Sequence, residues 1–156
     1  RSMLLHDGGE ELMILSENVA NLNCNHHLYH AMLVLSQVKY NSIPVLDNES
    51  RIRGLISMPM IMNAIMGISS MRFDEMEKIK IEEVMDKKVP IIHDPSDLEL
   101  ILNKLINHSF ICVADEYGHF EGIITRKEVL SRVNHLVHEM HNQFDFFEKA
   151  LSSSEK

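Results

Sequence analysis

The densest grouping of side chains that could hold an anion is Thr125-Arg126-Lys127-Glu128. These residues open a long apolar-periodic segment that reads as a helix, so backbone N–H groups and two cations would meet at one place. Arg126 can grip a phosphodiester through a planar fork, and Lys127 adds a point charge. The bland alternative is a solvated helix start. His135, His138 and His141 recur every three residues, with His26, His27 and His30 earlier. They fit no HExxH pattern, and isolated surface histidines are the ordinary reading, so no metal site is expected. Cys24 and Cys112 stand far apart without a CxxC spacing, as reduced thiols of a cytoplasmic protein would. Cys112 reads as buried in a strand and Cys24 as exposed after one. Asp47 and Asp115 read as turn residues, not as an acid/base pair. With no Ser-His-Asp or Cys-His arrangement and no phosphate-cradling glycine loop, the chain is expected not to be an enzyme.

The net charge is −8, from fifteen basic and twenty-three acidic residues. That balance argues against general nucleic-acid binding, which needs a basic footprint. An anionic ligand would therefore require the few cations to be gathered at one spot. No apolar run reaches the ~18–20 residues of a membrane span. Arg1-Ser2 reads as a cloning remnant ahead of a native Met3, with no signal-peptide pattern.

The elements that must position these groups come from an internal repeat. Ile43-Pro-Val-Leu-Asp47 and Ile52-Arg-Gly54-Leu-Ile-Ser57 form one copy; Ile111-Cys-Val-Ala-Asp115 and Phe120-Glu-Gly122-Ile-Ile-Thr125 form the other. Asp47, Gly54 and Ser57 each lie 68 residues before their counterparts Asp115, Gly122 and Thr125. Each copy reads as strand, turn, strand, and the glycine within each second strand suggests a close backbone approach. Helices precede both hairpins, with Leu28, Met32, Leu35 and Val38 on one and Leu98, Ile101, Leu102 and Leu105 on the other. Asp94 or Ser96 is expected to cap the second, with Pro95 in its first turn. Short extended segments lie upstream at Val19–Leu22 and Val89–His93. Their offset is 70, so a two-residue difference falls in or just after the helix.

Another helix follows each hairpin. Pro59 suits a first turn, ahead of Met60, Ile61, Ala64 and Ile65. After Thr125, the stripe Val129, Val133, Leu136, Val137, Met140 and Phe144 is expected to run to about Leu151. Phe144-Asp-Phe-Phe-Glu148 is expected to close the core of this helix, with a dimer or partner surface as the alternative. Gly67 to Lys80 reads as a connector. Ile81-Glu-Glu-Val-Met85 opens the second copy, with Leu12-Met13-Ile14 as its counterpart in the first. Boundaries follow: a first unit at 12–67, a connector at 68–79, a second unit at 80–137, and a helical extension and tail at 138–156. The class is α/β (α+β), two βαββα repeats with pseudo-two-fold symmetry, packed through their sheets with clefts between them.

The hairpin pattern Ile-Pro-Val-Leu-Asp-x4-Ile-x-Gly-Leu-Ile-Ser, its second copy and Glu83-Val84-Met85 resemble a tandem pair of CBS domains, or Bateman module. The resemblance covers roughly Leu12 to Leu136. Ala31-Met-Leu-Val-Leu35, Tyr40-Asn-Ser-Ile-Pro-Val-Leu-Asp47, Met60-Ile-Met-Asn63 and Phe120-Glu-Gly-Ile-Ile-Thr-Arg126 look most like the stand-alone cyclic-di-AMP-binding CBS proteins of low-GC Gram-positive bacteria. That resemblance implies a non-catalytic nucleotide sensor with no cofactor, whose ligand lies in a cleft between the halves. One wall would be the strand at Asn18, Val19 and Ala20 with the loop Tyr40, Asn41, Ser42 and Ile43; the other would be Ile124, Thr125, Arg126, Lys127 and Glu128. Backbone groups at Ala20 and Ser42 would read the adenine edge, with Tyr40, Ile43 or Ile124 against its faces.

Many mononucleotide-binding CBS domains carry Gly-h-h-(Ser/Thr)-x-x-Asp, whose acid holds ribose. Here the first copy has Ser57-Met58-Pro59-Met60, and the second ends in Glu128 beside two cations. This favours a ligand with bridging phosphates, while Glu128 is the best support for AMP, ADP or ATP instead. A ligand-free dimerisation adaptor is the third reading. The resemblance further implies a homodimer acting on a target such as a stringent-response synthetase-hydrolase or a central metabolic enzyme.

Overall fold

A computed structural model describes residues 12–66 and 73–154. The elements in chain order are β1 (Ile14–Leu15), β2 (Leu22–Asn23), α1 (Leu28–Leu35), β3 (Ser42–Leu46), β4 (Ile52–Ser57) and α2 (Met58–Ile65). Then follow β5 (Ile91–Ile92), α3 (Leu98–Leu105), β6 (Phe110–Ala114), β7 (Phe120–Thr125) and α4 (Arg126–Ser154). Short 3-10 turns occupy Ser16–Asn18, Phe73–Glu77 and Ile81–Glu83. From β2 to α2, and again from β5 to α4, the order is βαββα, as the repeat implies.

The two copies share their register residue for residue. Ser42 pairs with Ser57 and Ile43 with Ile56; Phe110 pairs with Thr125 and Ile111 with Ile124, each 68 residues on. Both hairpins carry an irregularity at the same place, after Val45 and after Val113. β2 runs parallel to β3, with Leu22 opposite Val45, and β5 runs parallel to β6, with Ile92 opposite Val113. The turns are built alike. Asp47 Oδ1 accepts from the N–H groups of Glu49 and Arg51, and Asp115 Oδ1 from those of Tyr117 and His119. Among the described residues, only Ser50 and Gly118 have positive φ, at 63° and 91°, and they too are 68 apart.

Those turns also join the halves. Ile52 N–H donates to Gly118 O at 3.0 Å and Phe120 N–H to Ser50 O at 2.9 Å, so the repeat shift maps one bond onto the other. This reciprocity is what a local two-fold requires. An apolar cluster drawn from both sheets, including Leu46, Phe110, Cys112, Phe120 and Ile123, fills the space between them. Burial of each such side chain contributes about 1.5–3 kcal/mol.

The segments that open each copy cross to the other half. β1 pairs antiparallel with β7, completing a sheet ordered β1-β7-β6-β5 beside the sheet β2-β3-β4. Leu12 lies in the second half's core with Ile124 and Val129, whereas Ile81 and Met85 lie in the first half's core with Ile56 and Ile61. Leu55 and Asp86 exchange two backbone hydrogen bonds, both 2.9 Å, in the position that Ile123 and Ile14 hold in the other half. The glycines answer to this exchange. A Cβ on Gly54 would stand 2.7 Å from Met85 Sδ and 2.8 Å from Asp86 O, and one on Gly122 would strike Met13 Cγ and Ile14 O. The close approach read from the sequence is real, and its partner is the swapped segment.

Several local expectations are corrected. The strand expected at Val19–Leu22 is instead a 3-10 turn through Asn18, an extended link at Val19 and Ala20, and a strand only at Leu22–Asn23. Asp97 caps α3 by accepting from Leu100 N–H, while Asp94 accepts from Ser96 one turn earlier. α1 stops at Leu35, leaving Val38 outside it, and Leu102 and Ala64 are exposed. Cys24 is buried, because its backbone is tied to Leu46 and Glu82. The connector is partly structured: Met76 enters the first half's core and Lys80 bridges to His27, while its residues 67–72 lie outside the described ones. The largest correction concerns α4. Val129 alone is buried, and the Phe144 cluster closes no core: Phe144, Phe146 and Phe147 are all exposed.

Candidate functional site

Between the halves lies a cleft of about 840 Å³, within the range of small-molecule sites. Ile14, Asn18 and Ala20 form one side with the loop Val38, Lys39, Tyr40 and Asn41; Ser109, Phe110, Thr125 through Glu128 and Leu130 form the other. The loop is long for a reason legible in the repeat. α1 to β3 takes six residues and α3 to β6 only four, so the two-residue difference adds reach at the cleft rim.

The start of α4 is tightly held. Thr125, buried, accepts the Glu128 N–H on Oγ1 at 3.1 Å, a helix cap matched by Ser57 and the Met60 N–H in the first half. Arg126 N–H donates to Ser109 O at 2.8 Å. The Arg126 side chain is already engaged: Nε donates to Leu105 O at 2.9 Å and an Nη to Ile106 O at 3.3 Å. It thereby neutralises the carbonyl end of α3, a favourable place for a cation. The fork assigned from sequence to phosphate is thus turned toward its own backbone, and Lys127 is the exposed cation that remains at the helix start.

Eight of the twelve residues singled out from sequence line this cleft: Asn18, Ala20, Tyr40, Asn41, Thr125, Arg126, Lys127 and Glu128. The other four do not. Val19, Ile43 and Ile124 are buried in the cores, and the Val19 carbonyl accepts from Asn21 Nδ2. Ser42 lines a neighbouring hollow of about 590 Å³ together with Ser57, Met58, Pro59 and Met60. Residues not foreseen are Ile14, Val38, Lys39, Ser109, Phe110 and Leu130. The 68-residue offset would have found Ser109, the counterpart of Asn41. Lys39 lies in the loop whose extra length the repeat exposes.

The histidines do not converge. His135 and His141 stand 3.2 and 3.5 Å from Glu139 and Asp145, one turn on, and His26 stacks edge-on against His30 at 4.7 Å. Among the described residues no three metal-ligating side chains come together. Nor, among them, is any helix long and apolar enough to cross a membrane.

The CBS domain family model matches residues 10–67 and 81–135. The chain belongs to the CBS domain family. As a CBS pair it is 39% identical over 124 residues to the cyclic di-AMP receptor B of Bacillus subtilis, spanning 80% of this chain and 84% of that one. It is also similar to the crystal structure of the CbpB protein of Listeria monocytogenes in complex with c-di-AMP. There the identity is 43% and the TM-score 0.77, over 83% of this chain and 96% of that one. A further CbpB structure in complex with c-di-AMP matches at 29% identity and TM-score 0.78, over 86% of this chain and 89% of that one. This CBS pair therefore has both the fold and close sequence kinship of those receptors.

Proposed function

We propose that the protein is a non-catalytic cyclic-di-AMP receptor that binds its ligand in the cleft at the start of α4. The observation that carries this reading is the cleft itself, built from both repeats, in a chain 43% identical to a protein crystallised with that nucleotide. Lys127 and Lys39 supply charge for phosphates, Tyr40 a flat face for a base, and Asn18 and Asn41 hydrogen bonds for its edge. The corresponding helix start of the first half, beside the smaller hollow, offers Met58-Pro59-Met60 where the cleft offers Arg126-Lys127-Glu128, so the charge favours the cleft for an anion.

The receptor acts as a homodimer and passes the signal to a target enzyme, of which a stringent-response synthetase-hydrolase or a central metabolic enzyme is the kind that the family resemblance suggests. Reciprocity binds the two steps: if nucleotide weakens the partner, the partner weakens nucleotide equally. Glu128 in the cleft favours one other reading, an AMP, ADP or ATP sensor, since a carboxylate there can hold ribose hydroxyls.

Thermal unfolding with each nucleotide separates them. A ligand at 100 times its dissociation constant adds about 2.7 kcal/mol of stability. Cyclic-di-AMP is expected to raise the midpoint at micromolar concentration, and AMP, ADP and ATP only at far higher ones. The reverse order would favour the energy sensor, and no shift with any of the four would leave the cleft without a nucleotide role.

A further inference from the structure

Leu130, Val133, Val137, Met140, Phe144, Phe147 and Leu151 follow one another along α4 at alternating intervals of three and four residues. All seven are between 47% and 69% exposed. This is a heptad seam with a mean period of 3.5, not the 3.6 of a helix lying on its own domain. The seam rises about 32 Å over 21 residues. From Val137 to Ser153 no side chain is buried, yet the segment is helical throughout. A helix without tertiary contacts is marginal in water, and this one presents an unbroken apolar edge. The CBS family model ends at residue 135, so most of this edge lies beyond the family's fold.

We propose that the edge is covered by α4 of a second copy of this chain, antiparallel, forming a two-stranded coiled coil. A 3.5 period fits a like helix better than a flat sheet. Side-chain sizes fix the direction. The first half of the seam is small (Leu130, Val133, Val137) and the second half is large (Met140, Phe144, Phe147). Parallel pairing would put phenylalanine on phenylalanine and valine on valine. Antiparallel pairing about the point between His138 and Glu139 puts Leu130 against Phe147, Val133 against Phe144 and Val137 against Met140, and leaves Leu151 at the end of the seam beside Arg126. Charge agrees. The early half carries Arg126, Lys127 and Arg132 against Glu128, and the later half carries Glu139, Asp145 and Glu148 against Lys149. Reversed helices bring opposite signs together.

This inference rests on the homodimer reading above and names its surface. The test is molar mass by light scattering on the full chain, the Val137→Glu/Met140→Glu variant, and Phe146→Glu. Phe146 is 76% exposed but off the seam, so it controls for general loss of surface apolarity. The expected result is a dimer for the full chain and for Phe146→Glu, and a monomer for the seam variant with unchanged thermal unfolding of the CBS body. A monomeric full chain would overturn both the homodimer and the seam. A dimer that survives the seam substitutions would overturn the seam alone.

Direction is read by disulfide formation between Val133→Cys and Phe144→Cys proteins, since Cys24 and Cys112 are buried. Antiparallel pairing gives mixed cross-links only, because like positions stand about 16 Å apart, far beyond disulfide reach. Self-linked Val133→Cys dimers would overturn the antiparallel arrangement.

Discussion

Arg126 donates two side-chain hydrogen bonds to the carbonyls that end α3, so alanine there leaves those carbonyls uncapped. Arg126→Ala is expected to lower stability by about 1 kcal/mol in urea unfolding. Its neighbour Lys127 has no such structural bond in the cleft wall, and Lys127→Ala is expected to leave stability unchanged while weakening cyclic-di-AMP roughly tenfold or more. Titration calorimetry beside urea unfolding separates the two roles. The turn aspartates set an acid limit. Desolvation pushes the Asp47 carboxyl up, but the backbone N–H bonds from Arg51 and Glu49 and the Arg51 side chain together outweigh it and hold it below the ordinary carboxylate value. Asp115 is lowered likewise: desolvation raises it, and the His119 and Tyr117 N–H groups and the His119 side chain win. A depressed carboxyl stabilises fully above its unfolded value and loses that contribution as pH falls through the folded one. The thermal midpoint is therefore expected to fall below about pH 4, less steeply in an Asp47→Asn/Asp115→Asn variant. Burial pushes the Cys112 thiol up to about 12, so it stays protonated and inert to thiol reagents near neutrality until the sheet opens.

The strands and helices were legible wherever a local pattern and a burial pattern agreed. The hairpins announced themselves through β-branched runs and aspartate turns, and α2 through Ser57 and Pro59. The swapped segments were half legible. Gly54 and Gly122 signalled a close approach, but nothing local says that Ile81-Met85 serves the first half, or Leu12-Ile14 the second, because that choice is made by long-range pairing. Gly54→Ala and Gly122→Ala are each expected to cost about 1–3 kcal/mol in urea unfolding, since the added methyl meets backbone carbonyls. An effect below 0.5 kcal/mol would mean that the crossing segments sit more loosely than described. On α4 the Phe144-Asp-Phe-Phe-Glu148 cluster suggests core closure because phenylalanines at helical spacing are usually buried, with a partner surface as the alternative. The distinction between periods of 3.5 and 3.6 takes six or seven positions to appear, and Phe144 and Phe147 supply it.

Across the protein, two βαββα units share one strand register, and the sequence differences between them decide where an anion could be held. The loop before β3 gained two residues, bringing Lys39 and Tyr40 to the rim, and the second helix start carries charge where the first carries methionine and proline. Cleft-lining residues within these two segments could be read from the repeat and the family resemblance. Val19, Ile43 and Ile124 could not be separated from their neighbours, since a one-residue step along a strand moves a side chain from cleft to core. Because the chain's net charge is −8, the proposed anionic ligand requires this local gathering of cations. Calorimetric titration of the purified chain with cyclic-di-AMP, repeated on Lys127→Ala and Tyr40→Ala, reads this directly. Saturable heat from the native protein, weakened by both substitutions, is the predicted result. Absence of heat at high protein concentration, or affinity indifferent to both changes, would contradict the assignment of the cleft.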